Sequence, residues 1–169
     1  MGHTFRLAEC SDVDAVFQLY KNRIRWMNEK GIRQWNETGY LDAYPIDYYM
    51  KQQALGNLYV LVENNVIIGA VVLLQEDDRW KEKTGQPAFY IHNLVADTTV
   101  NGAGKEILLE VEIIARQQGK HFIRLDCAMD NAFLNGYYGS LGYEMAGTCQ
   151  DGPYVGNRRE KTLNSKAVH

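Results

Sequence analysis

An apolar run, Phe89-Tyr90-Ile91-His92-Asn93-Leu94-Val95, leads through Asp97-Thr98-Thr99-Val100-Asn101 into Gly102-Ala103-Gly104-Lys105. A glycine turn between a strand and a helix start aims free backbone N–H groups at one point, with the helix dipole behind them. Such a point suits a phosphate or pyrophosphate. Two nucleotide-binding patterns fail here. A dinucleotide fingerprint needs a third glycine three residues after Gly104, where Ile107 stands. A Walker A loop needs Ser or Thr after Lys105 and a glycine at position 99, and the chain has Glu106 and Thr99. Spacing alone leaves two readings of the turn, an anion site or a tight helix entry.

A second constellation runs from Asn131 through Tyr137 and Tyr138 to Leu141-Gly142-Tyr143. Taken alone, the two tyrosines read as packing residues and Asn131 as a helix cap. His92 stands two residues before Leu94, so strand alternation sends both side chains to one face. A histidine there serves either as a base or as a structural group bonded to a neighbour. Trp26, Trp35, Tyr40, Tyr44, Tyr48 and Tyr49 crowd the first helical region, where packing is the default role.

The elements that must position these residues follow from periodicity and punctuation. Phe5–Ala8 reads as a short first strand. Ser11 or Asp12 caps a helix whose apolar face is Val13, Val16, Phe17, Tyr20, Ile24 and Met27, closed by Gly31. The aromatic segment Gly31-Ile32-Arg33-Gln34-Trp35 follows, and a second helix starts near Pro45 and runs to Gly56. Leu58–Glu63 and Val66–Leu74, joined by Asn64-Asn65, form a hairpin. Asp77–Gly85 reads as a charged, solvated loop. Ile107, Leu108, Val111, Ile114 and Ala115 make the stripe of a helix lying on a sheet, and Gly119 closes it. Phe122–Ala128 is a strand, Asn131–Leu141 a short helix, Gly142-Tyr143 the start of another strand and Arg158–Leu163 the last. A hairpin-rich first half and a β–α–β second half predict an α/β (α+β) mixed sheet with helices on both faces, not a doubly wound one.

At 169 residues without repeats or linkers, the chain reads as one domain, with a core over about 4–165. A net charge of −3 gives no electrostatic case for nucleic acid or an anionic membrane. Three widely spaced cysteines fit neither a disulfide framework nor a zinc site, so no metal is expected, and reduced thiols point to the cytoplasm. Met1–Arg6 offers no signal segment, Arg6 stands where myristoylation wants Ser or Thr, and no stretch reaches the length of a membrane span.

Taken together, the two constellations resemble the GNAT family of acetyl-CoA-dependent N-acetyltransferases. The family's main signature, Arg or Gln, two residues, then Gly-x-Gly or Gly-x-Ala, falls on Thr99-Val100-Asn101-Gly102-Ala103-Gly104. Its second, an Asn followed seven positions on by a Tyr and ending in Leu-Gly-Phe or Leu-Gly-Tyr, falls on Asn131, Tyr138 and Leu141-Gly142-Tyr143. The resemblance covers nearly the whole chain, with most weight in its second half. It implies a mostly antiparallel central sheet splayed at the acetyl-CoA site, and acetyl transfer to a primary amine of a small molecule or peptide. It implies that Tyr138 protonates the leaving thiolate and that the Leu94 backbone N–H binds the developing oxyanion at a β-bulge, with His92 as candidate base. Leu94, Val95, Ala96, Thr99, Val100, Asn101, Gly102, Ala103, Gly104, Lys105, Asn131 and Tyr138 would hold the cofactor. Trp35, Trp26 and His92 would line the acceptor pocket, with Asp151–Asn157 at its rim. Homodimers are common in the family. Thr99 replaces the usual Arg or Gln and Val100 the glycine that commonly follows, which predicts weaker cofactor binding. That departure keeps a second reading, an acyl-CoA-binding module without activity. A third, an unrelated nucleotide-binding domain, rests on the glycine turn alone.

Overall fold

The apolar runs at Leu58–Glu63 and Val66–Leu74 are strands with those bounds in the computed structural model, which describes residues 2–32, 35–36, 39–83 and 85–163. The element order is β1 (His3–Leu7), α1 (Val13–Lys30), α2 (Tyr40–Ala43), α3 (Ile46–Ala54), β2 (Leu58–Glu63), β3 (Val66–Leu74), β4 (Ala88–Ala96), α4 (Ala103–Gln117), β5 (Phe122–Ala128), α5 (Ala132–Ser140), β6 (Glu144–Asp151) and β7 (Tyr154–Thr162). Short 3-10 segments lie at Cys10–Asp12 and Asp78–Lys83. The strands form a seven-stranded sheet in the order β1-β2-β3-β4-β5-β7-β6. Pairing is antiparallel at β1/β2, β2/β3, β5/β7 and β6/β7 and parallel at β4/β5. The mixed, mostly antiparallel sheet is the expected class. The chain divides into two compact units, and β4 and α4 each run from one into the other.

The first unit holds the residues up to Leu73 with His92–Glu110. Asn64 and Asn65 join β2 to β3 with φ of 52° and 65°. Two left-handed residues make a turn whose twist matches that of the flanking strands, and asparagine tolerates that conformation. Helix α1 buries Val13, Val16, Leu19, Tyr20 and Met27. Leu19 is in the core, whereas Phe17 and Ile24 are half-buried. Gly31 ends α1 at φ 70°, and its N–H bonds the Asn28 carbonyl at 3.3 Å. The expected cap differs. Asp12 precedes α1 but its carboxylate accepts the Glu9 N–H at 2.7 Å and pairs with Arg6 at 2.7 Å. The acid serves the 3-10 turn before the helix because that turn presents a donor and a cation together. Helix α2 was not foreseen, since four residues carry too little periodicity to read. Arg33 and Gln34 of the aromatic segment lie outside the described residues.

The second unit holds Leu74–Ile91 and the residues from Val111 onward. Strand β5 is central to it, pairing from Ala88↔Phe122 to Tyr90↔Arg124 on one side and from Phe122↔Thr162 to Ala128↔Gly156 on the other. The segment Asp77–Lys83 is not wholly the solvated excursion expected of it. Trp80 is 1% exposed and packs with Ala88 and Tyr90. Beneath it lies the fully buried Arg124, which donates to the Tyr90 hydroxyl at 2.8 Å and pairs with Glu160 at 2.7 Å. One indole buries enough area to pin a segment whose charges otherwise favour solvent. Those charges are paired as well, Arg79 with Asp126 at 3.2 Å and with Asp151 at 3.0 Å, and Arg158 with Glu82. The final strand starts at Tyr154, four residues before the expected Arg158, and β6 starts at Glu144 rather than at the buried Tyr143. Among the described residues no helix is long and apolar enough to cross a membrane, and no group of three or more His, Cys, Asp or Glu could hold a metal.

Candidate active site

Strand β4 breaks its own pleat at Asn93, which has φ 55°. The break sits between His92 and Leu94, so the alternation that would align those two side chains does not carry across it. Asn93 is held on three sides. The Tyr20 hydroxyl donates to its carbonyl, its side-chain amide donates to the Tyr40 hydroxyl, and the Tyr48 hydroxyl donates to its Oδ1 at 2.8 Å. The same tyrosines build an aromatic stack in which Trp35 lies on Tyr40 at 4.2 Å and Tyr20 on Tyr49 at 4.6 Å. Burial pushes the phenols of Tyr20, Tyr40 and Tyr49 well above their ordinary range.

Past the break, the Arg23 guanidinium donates to the Ala96 carbonyl at 2.7 Å. Burial lowers the Arg23 pKa, against the pull of Asp97. The Asp97 N–H donates to the Ile68 carbonyl at 2.8 Å, closing β4 onto β3. Asp97 then organises the turn. Its Oδ1 accepts the Thr99 N–H at 2.9 Å and the Thr99 hydroxyl at 2.7 Å, and its carbonyl accepts the Val100 N–H at 3.1 Å. Gly102 is left-handed at φ 82°, and the first bond of α4 runs from the Glu106 N–H to the Gly102 carbonyl at 3.0 Å. The N–H groups of Ala103, Gly104 and Lys105 precede that bond and so have no acceptor within the helix. A Cβ added at Gly102 or Gly104 would meet nothing within 4 Å, so open space faces both. The opposite holds at Gly69 of β3, where a Cβ would lie 2.6 Å from Ile107 Cδ1. That glycine lets the first turns of α4 lie close on the strand.

Trp26 is not part of the Trp35 stack. It lines an open groove of about 400 Å³ with Asn22, Arg25, Glu29 and Asp97–Thr99, and Arg23 lies 4.8 Å over its ring. His92 is half-buried.

In the second unit Asn131 caps α5, its Oδ1 accepting the Leu134 N–H at 3.0 Å. Asn135 ties the helix down, donating to the Ala128 carbonyl at 3.1 Å and accepting from Asn157 at 2.9 Å and Arg159 at 3.0 Å. Tyr138 is 9% exposed, with its ring edge-on to Tyr137 at 5.5 Å and to Tyr143 at 5.9 Å. Burial, helped by the neighbouring Cys127, raises the Tyr138 phenol well above its usual value. Cys127 is itself buried, and its thiol is pushed up to about 11. The arrangement keeps a protonated phenol beside a thiol that does not ionise near neutrality.

The family model described as acetyltransferase (GNAT) family matches residues 18–143, most of the chain and stretches of both units. The chain belongs to the GNAT family of acetyltransferases. A curated relative, the uncharacterized N-acetyltransferase YesJ of Bacillus subtilis (strain 168), is 26% identical over 151 residues, covering 85% of this chain and 83% of its own. A solved GNAT-family acetyltransferase from Listeria monocytogenes superposes with a TM-score of 0.80 at 21% identity, over 95% of both chains. The PaiA N-acetyltransferase of Thermoplasma acidophilum, solved in complex with coenzyme A, superposes at 0.75 with 17% identity, over 96% of this chain and 100% of its own. The segments Thr99–Gly104 and Asn131–Tyr143, on which the sequence resemblance rests, form the turn into α4 and the helix α5 with the turn after it. Asn93, Arg23 and Asp97, which shape the first of these, were not singled out from sequence. An asparagine inside an apolar strand was the one available signal, since asparagine adopts left-handed backbone more readily than other residues with a side chain.

Proposed function

We propose that the whole chain is a single N-acetyltransferase domain that moves the acetyl group of acetyl-CoA to a primary amine of a small molecule or peptide. The family and the coenzyme A bound by the PaiA relative support the donor. The residues fit it. The free N–H groups of Ala103–Lys105 and the open space at Gly102 and Gly104 form a cradle for a pyrophosphate. Leu94–Ala96, Thr99–Asn101 and Asn131 are assigned to the rest of the cofactor. Trp35, Trp26 and His92 are assigned to the acceptor pocket and Asp151–Asn157 to its rim.

An amine with a lysine-like pKa is neutral in only about one molecule in a thousand at pH 7, so a proton acceptor aids attack. His92 is the candidate base. The carbonyl oxygen gains negative charge as the amine attacks, and the Leu94 N–H is the assigned donor to it. As the carbon–sulfur bond breaks, Tyr138 supplies the proton to sulfur. The observation that favours catalysis over mere acyl-CoA binding is the burial of Tyr138, which keeps its phenol protonated. The three free cysteines accord with a cytoplasmic protein.

The test is a broad amine panel monitored by free thiol release, repeated with Tyr138→Phe. Loss of general acid catalysis should lower kcat by roughly a hundredfold. Because the phenol is raised, wild-type kcat should not fall on the alkaline side below about pH 10, the pKa of an ordinary phenol. Unchanged turnover in Tyr138→Phe removes the proton-donor assignment. An unchanged pH–rate profile in His92→Gln removes the histidine as base. Tight ATP or NAD binding without coenzyme A binding in calorimetry would sink the whole reading.

A further inference from the structure

We infer that Tyr20, acting through Asn93, is the positioning residue for the Leu94 N–H. The inference rests on the reading of that N–H as the oxyanion donor. The peptide unit between Asn93 and Leu94 is planar and trans, so its C=O and its N–H point in opposite directions. Whatever fixes the Asn93 carbonyl fixes the Leu94 N–H. The group that fixes it is the Tyr20 hydroxyl, which donates to that carbonyl from a fully buried ring. Tyr20 has no freedom to swing, since it stacks on Tyr49 at 4.6 Å and on Tyr40 at 6.0 Å.

The left-handed turn at Asn93 needs its own support, because a residue with a side chain adopts φ 55° reluctantly. The side-chain amide supplies it. Its nitrogen donates to Tyr40 and its oxygen accepts from Tyr48 at 2.8 Å. Tyr40 comes from α2 and Tyr48 from α3, so with Tyr20 of α1 on its carbonyl, three helices of the first unit converge on one residue. Arg23, three residues after Tyr20 on α1, holds the Ala96 carbonyl at 2.7 Å. One helix thereby anchors both ends of the stretch from Asn93 to Ala96. A donor oriented before the substrate arrives needs no reorganisation as charge develops, which is what an oxyanion site requires.

The experiment uses the full chain and acetyl-CoA labelled with carbon-13 at the thioester carbonyl. The infrared carbonyl band of the bound thioester reports polarisation by the donor without any acceptor amine. In Tyr20→Phe the ring and its stacking remain and only the hydroxyl is lost. The band should return toward its position in free acetyl-CoA, and kcat with a panel amine should fall roughly tenfold to a hundredfold, below the full loss of a donor. The KM for acetyl-CoA should rise less than kcat falls, since Tyr20 holds the Asn93 carbonyl and not the pyrophosphate cradle proposed at Ala103–Lys105. Tyr48→Phe should act in the same direction more weakly. Asn93→Gly, which permits the left-handed backbone, should lose less kcat than Asn93→Ala, which opposes it. An unmoved band with kcat within about threefold of wild type in both Tyr20→Phe and Tyr48→Phe overturns the inference. Replacing Leu94 by its α-hydroxy acid removes the N–H itself. If that ester keeps its kcat, the oxyanion reading fails and takes this inference with it. If the ester is impaired while both phenylalanine variants are not, the positioning role alone is wrong.

Discussion

Gly69→Ala tests how closely α4 must sit on the sheet. Gly69 lies on β3 without a left-handed backbone, so any cost of a side chain there comes from packing alone. A methyl at this position would stand 2.6 Å from Ile107 Cδ1, 3.1 Å from the Val95 carbonyl oxygen and 3.6 Å from Ile107 Cγ1. Ile107 is fully buried, so its end carbon has little room to turn away. The carbonyl belongs to β4 and must move a few tenths of an ångström. Overpacking of this kind costs about 1–3 kcal/mol. A central value of about 2 kcal/mol lowers Tm by about 4–8 °C in a chain of this size. Ile107→Val removes the carbon at 2.6 Å and by itself costs about 1 kcal/mol, through the small cavity it leaves.

Independent effects would sum to about 3 kcal/mol in the double variant. The geometry requires otherwise, because in that background the 3.1 Å approach to the Val95 oxygen is the one tight contact left of the three. The double variant should lose about 1.5–2 kcal/mol, a coupling of about 1–1.5 kcal/mol. Urea unfolding of the four proteins, with an unchanged m-value, measures it. Binding of acetyl-CoA provides a second readout, since Ile107 sits one turn into the helix whose start is the proposed pyrophosphate cradle. Gly69→Ala should weaken that binding, and Ile107→Val should restore part of it. Strict additivity of the two substitutions, within about 0.5 kcal/mol, would refute the packing argument.

Arg124→Met should destabilise the protein by about 3 kcal/mol, the low end for breaking a buried pair, because Glu160 keeps Lys83 at 3.6 Å; a urea midpoint unchanged from wild type would contradict this. Thr99→Arg should tighten acetyl-CoA binding about threefold to tenfold by restoring a charge-assisted phosphate contact, partly offset by competition from Asp97, and calorimetry that shows no gain would remove position 99 from the cofactor site. The buried phenols of Tyr20, Tyr40, Tyr49, Tyr138 and Tyr143 are raised in the folded state. The folded chain then keeps protons that the unfolded chain gives up above about pH 10. Their contribution is present below that pH and is lost as pH rises beyond it, by about 1.4 kcal/mol per phenol and pH unit. Urea midpoints at pH 8, 10 and 11 should be level and then fall, and a flat series would count against it.

Local rules made most of the scaffold legible. The hairpin at Leu58–Leu74 is written in β-branched runs and two asparagines that tolerate φ above zero. Gly31 and Gly119 end their helices because only left-handed residues close them in this way. What stayed hidden depended on partners distant in sequence. Trp80 sits among charges, and nothing near it in sequence says that Arg124 and Tyr90 wait beneath. Asp12 reads as a helix cap until Arg6 and the Glu9 N–H claim it. The site divides the same way. The glycines and Tyr138 stand at recognisable spacings, whereas Asn93 matters through tyrosines 45 and 73 residues away.

The pyrophosphate cradle proposed at residues 97–105 would work without the family's usual phosphate-binding side chain. A carboxylate at such a turn looks adverse, because it repels the anion the turn should hold. Asp97 is nonetheless spent locally. It takes both the N–H and the hydroxyl of Thr99 and stands near the Arg23 guanidinium. Position 99 therefore has no proton left to offer an anion. The remaining donors are the backbone groups of Ala103, Gly104 and Lys105, with the exposed Lys105 ammonium beside them. On the proposed reading, the grip is displaced from a side chain to the first turn of α4. Such a grip is only as well aimed as the helix that carries it. Helix α4 is seated where Ile107 meets a strand glycine at a distance that no side chain would permit. Binding strength in this chain should therefore follow the packing of Gly69 and Ile107 as closely as it follows any residue of the turn.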